Sequence, residues 1–164
     1  MIPLLLLHGA LGSAAQFDAL KPLLTTDRPV FALNFPGHGG LPTNEPFSMA
    51  RFSGFVLDFL EKENLAAVDV FGYSMGGYVA LYLAAKHPER VRRIFTLGTK
   101  FDWTPETAVR ETAMINPEKI EAKVPVFAQT LAARHAPADW KTVLHRTADL
   151  LRDLGGGHGI APAS

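Results

Sequence analysis

The stretch Gly72-Tyr73-Ser74-Met75-Gly76-Gly77 constrains this chain more than any other. The apolar run Val68 to Phe71 precedes it, and a helix-forming run from Tyr78 to Lys86 follows. A serine at the tip of a strand-to-helix turn must adopt a strained backbone conformation. The strand and helix then lie so close that the positions two before and two after the serine can carry almost no side chain. Gly72 and Gly76 meet that need, and Gly77 lets the helix come closer still. Strand, G-x-S-x-G and helix in this order form a nucleophile elbow. It leaves the Ser74 hydroxyl at a helix N-terminus, where amide hydrogens and the helix dipole favour an anion. The plainer reading of Ser74 is a helix N-cap, which would not require glycines on both sides.

The surrounding pattern predicts an α/β fold. Ile2 to Leu7 is apolar without alternation, as a central parallel strand covered on both faces would be. It has no basic residues ahead of it and is interrupted by His8-Gly9, so a strand fits better than a signal peptide, and a cytoplasmic protein is expected. Ser13 and Gln16 have capping-box spacing and predict a helix burying Phe17, Leu20 and Leu24. Val30 to Asn34 predicts a second strand, running into the loop Phe35-Pro36-Gly37-His38-Gly39-Gly40. Ser48 opens a helix whose stripe is Phe52, Phe55, Val56, Phe59 and Leu60. Val68 to Tyr73 and Arg92 to Leu97 predict the third and fourth strands. Strict alternation of strand and helix implies a three-layer parallel sheet of about four strands with right-handed crossovers.

Beyond Gly98 the strands cease. Thr104-Pro105-Glu106 starts one predicted helix, ending near Ile115. Ile120, Val124, Phe127 and Leu131 predict a second, with Pro125 limiting where it begins. Pro137 to Leu154 predicts a third, with Trp140, Val143, Leu144, Ala148, Leu151 and Leu154 on one face. Three helices in succession predict a cap over the sheet edge. The expected organisation is a core over 1–99, a helical cap over 100–155 and a Gly-rich tail over 156–164.

Composition excludes several functions. Lys plus Arg and Asp plus Glu both number 16, so no net field draws in nucleic acid or an anionic membrane. The chain has no cysteine, which removes thiolate catalysis, disulfides and cysteine-bound metals. No apolar run approaches the ~20 residues of a membrane span. His135 and His145 do not have metal-ligand spacing and H-E-x-x-H is absent, so neither metal nor cofactor is expected.

Three loops after three predicted strands carry a family resemblance: His8-Gly9-Ala10-Leu11-Gly12, Phe35-Pro36-Gly37-His38-Gly39, and the elbow itself. Their order and spacing resemble the α/β-hydrolase family in its small esterase and lipase-like branch. The resemblance implies that Ser74 is the nucleophile and that the N–H groups of Met75 and Ala10 form the oxyanion hole. Such donors contribute on the order of 3 kcal/mol each. It implies that Gly9 and His8 support the loop, His8 without moving protons, and that the substrate is a small ester or thioester. His38 reads as loop-shaping and His87 as a cation at a helix C-terminus. Lys86, Arg90, Arg92 and Arg93 read as a solvated face. Phe101, Trp103, Phe127 and Trp140 read as core or cap packing, some of them lining an acyl pocket under the cap.

The family order is serine, then acid, then histidine. The strands that carry the last two would fall after Ser164, so the chain is expected to be a truncated fold matching the first two-thirds of a family member. Two substitutes stand within it. Asp102 follows the fourth strand, where its plainer reading is a turn residue. His158 lies in the glycine tract, where its plainer reading is a tail residue. Two functions therefore stay open: a serine hydrolase weakened by loss of its acid and base, or an inert fragment or binding module that keeps the pocket. A fourth strand at the sheet edge would also invite self-association.

Overall fold

A computed structural model describes residues 1–25 and 27–160. Strands β1 (Leu4–Leu7), β2 (Val30–Leu33), β3 (Val68–Tyr73) and β4 (Val91–Leu97) form one parallel sheet in the order β2-β1-β3-β4. All of β1 is buried, as its unbroken leucine run requires. Leu7 pairs with Leu33 on one side and with Gly72 on the other. The loops that follow β1, β2 and β3 therefore leave the sheet side by side at its carboxyl edge, where open parallel sheets bind ligands.

Helices α2 (Met49–Lys62) and α3 (Met75–Lys86) pack together over one face of the sheet. Ser48 caps α2 by accepting from the Arg51 N–H at 3.2 Å. Phe52, Val56 and Leu60 are its buried stripe, with Phe55 and Phe59 half-buried at its margins. The other face is thinner: a 3-10 turn at Ala14–Phe17 and the single turn α1 (Lys21–Leu24) lie mainly over β1 and β2, with Phe17 reaching Phe71 of β3. The continuous helix expected from Ser13 does not form. The Ala14 N–H goes to the Asn34 side chain at 2.7 Å, Ser13 makes no side-chain cap, and Pro22 lacks the N–H that a longer helix would use.

Among the described residues, the second half contains four helices rather than three: α4 (Pro105–Met114), α5 (Pro117–Lys123), α6 (Pro125–His135) and α7 (Trp140–Gly155). The expected second helix divides at Val124, because Pro125 cannot donate to a preceding turn. Thr104 and Thr107 cap α4 reciprocally, and Asp139 caps α7 by accepting from Lys141 and Thr142. The Asp139 cap starts α7 at Trp140, later than the expected Pro137. Leu131, Val143, Leu144 and Leu154 join Leu5, Phe35 and Val79 in one apolar cluster, so these helices share a core with the sheet.

β4 is the edge strand beside β3, with Phe95 64% and Leu97 52% exposed. Phe95 stacks on Phe71 of β3 with ring centroids 5.6 Å apart. Asp69 lies buried within β3 and pairs with Arg28 at 3.0 Å, a charge in a central strand that hydrophobic patterning does not anticipate. Among the described residues, no helix is long and apolar enough to cross a membrane, and no cluster of potential metal ligands occurs. Residues 161–164 of the expected tail lie outside the described residues; before them, the Ile160 N–H donates to the Tyr78 hydroxyl at 2.9 Å.

Candidate active site

Ser74 stands between β3 and α3 with φ 50° and ψ −116°. A non-glycine residue held there stores on the order of 1–3 kcal/mol of strain. Three neighbours hold it. Its N–H donates to the Leu97 carbonyl at 2.8 Å, tying the bend to the end of β4. Its own carbonyl accepts from the Gly77 N–H at 3.0 Å and from the Thr99 hydroxyl at 2.9 Å. The flanking glycines are demanded by space. A Cβ on Gly72 would lie 2.6 Å from the Gly76 carbonyl carbon, and one on Gly76 would lie 2.7 Å from the His8 carbonyl oxygen. A Cβ on Gly9 would fall 3.2 Å from the Ser74 Cβ, so the loop after β1 passes directly against the serine.

That loop is held by its own first residue. His8 is fully buried. Its Nδ1 lies 2.7 Å from the Gly9 carbonyl, and its Nε2 accepts from the Phe35 N–H at 3.1 Å. These bonds assign a neutral ring with the proton on Nδ1, donated to Gly9. The Gly12 N–H donates to the same Gly9 carbonyl at 3.0 Å. Because the peptide is planar and trans, fixing the Gly9 carbonyl fixes the Ala10 N–H in the opposite direction. Both nitrogens of His8 are engaged by backbone, which leaves no lone pair for Ser74. Burial pulls the His8 pKa from 6.5 down to about 4; the Gly9 bond opposes this, while His135 and Arg134 reinforce it.

Two further histidines pack beside it. The His38 ring is 5.1 Å from that of His8, 4.9 Å from Phe47 and 5.5 Å from His135. Burial holds His38 well below the ordinary histidine value, with His8 and His135 pushing the same way. Nδ1 of His135 accepts from the Gly39 N–H at 3.1 Å, and its Nε2 donates to the Leu11 carbonyl at 3.1 Å. None of these rings lines the cavity beside Ser74.

A cavity of about 380 Å³ opens over the serine. Ala10, Ser74 and Met75 form its sheet side, and Trp103, Met114, Ile115 and Leu151 form part of its helical side. That is within the usual range of small-molecule sites. Its other polar groups are Tyr78, Lys100, Glu111 and Thr147. The Lys100 ammonium sits 3.5 Å from the Glu111 carboxylate, and hydrophobic patterning singled out neither residue.

The structure brings Ser74, Ala10 and Met75 together around one cavity and leaves both substitute residues outside its lining. Asp102 is exposed, and its carbonyl accepts from the Thr107 hydroxyl. His158 is exposed and lies 2.8 Å from Asp153. No described residue of the cavity lining is a histidine. Of the four aromatics, Trp103 lines the cavity, Trp140 is in the core, and Phe101 and Phe127 are exposed. Arg90 departs from the solvated-face reading: it donates to the carbonyls of Leu65 and Ala66, pinning the turn before β3.

A sequence profile of the family described as alpha/beta hydrolase fold matches residues 2–152. A pimeloyl-[acyl-carrier protein] methyl ester esterase of Neisseria meningitidis is 42% identical over 89 residues, 54% of this chain and 33% of that protein. An sn-1-specific diacylglycerol lipase of Xenopus tropicalis, ABHD11, is 30% identical over 131 residues, covering 75% of this chain and 40% of its own. A solved hydrolase from Pseudomonas aeruginosa superposes with a TM-score of 0.70 at 21% identity, covering 92% of this chain and 64% of that one. The chain thus spans a third of the length of the esterase it matches.

The buried histidines make stability depend on pH. The unfolded chain binds a proton at His8 as pH falls through 6.5, while the folded chain resists protonation until about 4. The stabilisation is complete above 6.5 and is lost as pH falls between those values. For His8 alone the loss is on the order of 3 kcal/mol. Urea unfolding at pH 7.5 and pH 4.5 should show this loss, and His8→Asn should flatten the dependence while lowering stability at the higher pH.

Proposed function

The chain belongs to the alpha/beta hydrolase fold family, and from that premise we propose that it is a serine hydrolase acting on a small carboxylic ester or thioester through an acyl-enzyme on Ser74. One observation carries the reading: Ser74, at a positive φ on a strand-to-helix bend, shares a cavity with Ala10 and Met75. The esterase relative supports the substrate class. The Ser74 oxygen attacks the carbonyl carbon, and the carbonyl π pair moves onto its oxygen. The N–H groups of Ala10 and Met75 donate to that oxyanion, with Gly9 and His8 holding the loop. Collapse re-forms the carbonyl and expels the alcohol or thiol, which leaves with a proton. Water then attacks the acyl-serine, releasing the acid and restoring the hydroxyl.

The serine proton must go somewhere, and no described histidine lines the cavity. The proposed acceptor is water, so attack is slow. Oxyanion donors and substrate binding alone sustain roughly 10³–10⁴-fold acceleration over water when a triad is missing. The same observation favours a second reading, a binding module that holds the ligand without turning it over. A fluorophosphonate probe and a short-chain aryl ester separate the two. The hydrolase reading expects Ser74 to be labelled and the ester to be cleaved slowly, with both lost in Ser74→Ala. Labelling without turnover selects the module, and labelling that persists in Ser74→Ala removes Ser74 from the site.

The open edge supports self-association between two copies of the chain through β4. Its outer backbone groups are unpaired among the described residues, and the adjoining face carries Phe95 and Leu97. Sedimentation equilibrium should show a concentration-dependent dimer that Phe95→Glu weakens. A monomer at all concentrations would contradict the pairing.

A further inference from the structure

Two consecutive residues at the end of α6 converge on one backbone carbonyl of the loop beside Ser74. Arg134 Nη1 donates to the Leu11 carbonyl at 2.7 Å, and His135 Nε2 donates to it at 3.1 Å. Leu11 has φ 61°, a left-handed conformation that a leucine keeps only when its surroundings enforce it. The Leu11 carbonyl shares a peptide plane with the Gly12 N–H, and that N–H donates to the Gly9 carbonyl at 3.0 Å. The Gly9 carbonyl in turn shares a plane with the Ala10 N–H.

We propose that Arg134 and His135 are positioning residues that set the direction and donor strength of the Ala10 N–H through these two linked peptide planes. The catalytic consequence rests on the oxyanion role proposed above for Ala10. A guanidinium donating to a carbonyl draws electron density from its peptide, which makes the peptide's own N–H a stronger donor. The effect passes from Leu11 and Gly12 to Gly9 and Ala10. His8 Nδ1–H is a second donor to the Gly9 carbonyl and polarises the last plane in the same sense. Through its other nitrogen His135 also receives the Gly39 N–H, so one ring ties α6 to the loops after both β1 and β2. The seating of α6 therefore governs a backbone donor at the mouth of the cavity without any of its side chains entering it.

The test uses the full chain labelled with ¹⁵N, in wild-type, Arg134→Met, Arg134→Lys and His135→Gln forms. Two quantities are read: the Ala10 and Gly12 amide proton shifts, and the kinact and KI of fluorophosphonate labelling. In Arg134→Met both amide protons should move upfield, and kinact should fall about tenfold, below the 10²–10³ for outright loss of a donor, with KI unchanged. Arg134→Lys restores a cation at the Leu11 carbonyl and should recover most of both signals. His135→Gln keeps a donor at the ε position and should fall between. Unmoved amides in a folded Arg134→Met protein overturn the relay, as does a kinact that stays constant while the amides shift. Should Arg134→Met unfold, His135→Gln decides, and wild-type amide shifts in a folded His135→Gln protein contradict the proposal. A wild-type protein that the probe never labels refutes the Ser74 reading, and the amide shifts then judge the relay alone.

Discussion

Leu7 lies opposite Gly72 in the parallel pairing of β1 with β3, and the candidate site depends on that register. It places the end of one buried strand against the one point in the other where no side chain intervenes. The loop after β1 can then run directly against Ser74. A slip of one residue would put Phe71 or Tyr73 at that point and turn every side chain of the slipped strand to the opposite face. The strained φ of Ser74 follows from the same closeness. The bend is tied to the end of β4 through the Leu97 carbonyl and to Thr99 through its own, so the strain is held by the surrounding sheet and turn.

The histidines act as buried struts. His8, His38 and His135 form a contiguous group between the sheet edge and α6, each with its pKa lowered by burial. His8 and His135 each use one nitrogen to accept a backbone N–H and the other to donate to a backbone carbonyl. A neutral imidazole is suited to that exchange, since it offers one donor and one acceptor on a rigid ring. Lysine or arginine could not accept, and a carboxylate could not donate. The chemistry around Ser74 is consequently backbone chemistry, with Lys100 and Glu111 as the charged side chains of the cavity wall.

Much of the core was legible in the sequence because local rules governed it. The unbroken leucine run of β1, the Ser48 cap, the glycine spacing around Ser74 and the Thr104-Pro105 helix start each depend on a few neighbouring residues. What local rules could not show came from contacts distant in the chain. Asn34 takes the amide that a helix from Ser13 would have organised. Arg28 makes a buried Asp69 tolerable within β3. Arg90 serves two carbonyls of the turn before β3 rather than solvent. Arg134 and His135 reach Leu11 across 123 and 124 residues, and nothing in the composition of α6 signals it. The single helix expected over Ile120, Val124, Phe127 and Leu131 fails for a local reason, since Pro125 divides it more sharply than that apolar spacing implies.

The central claim is geometric: an oxygen bonded through Ser74 would meet the amides of Ala10 and Met75. A crystal structure of the phosphonylated protein measures this directly. The account predicts phosphorus bonded to the Ser74 oxygen, with one phosphoryl oxygen about 2.7–3.1 Å from both amide nitrogens. A phosphoryl oxygen turned to solvent, or either amide directed away from it, would contradict the account.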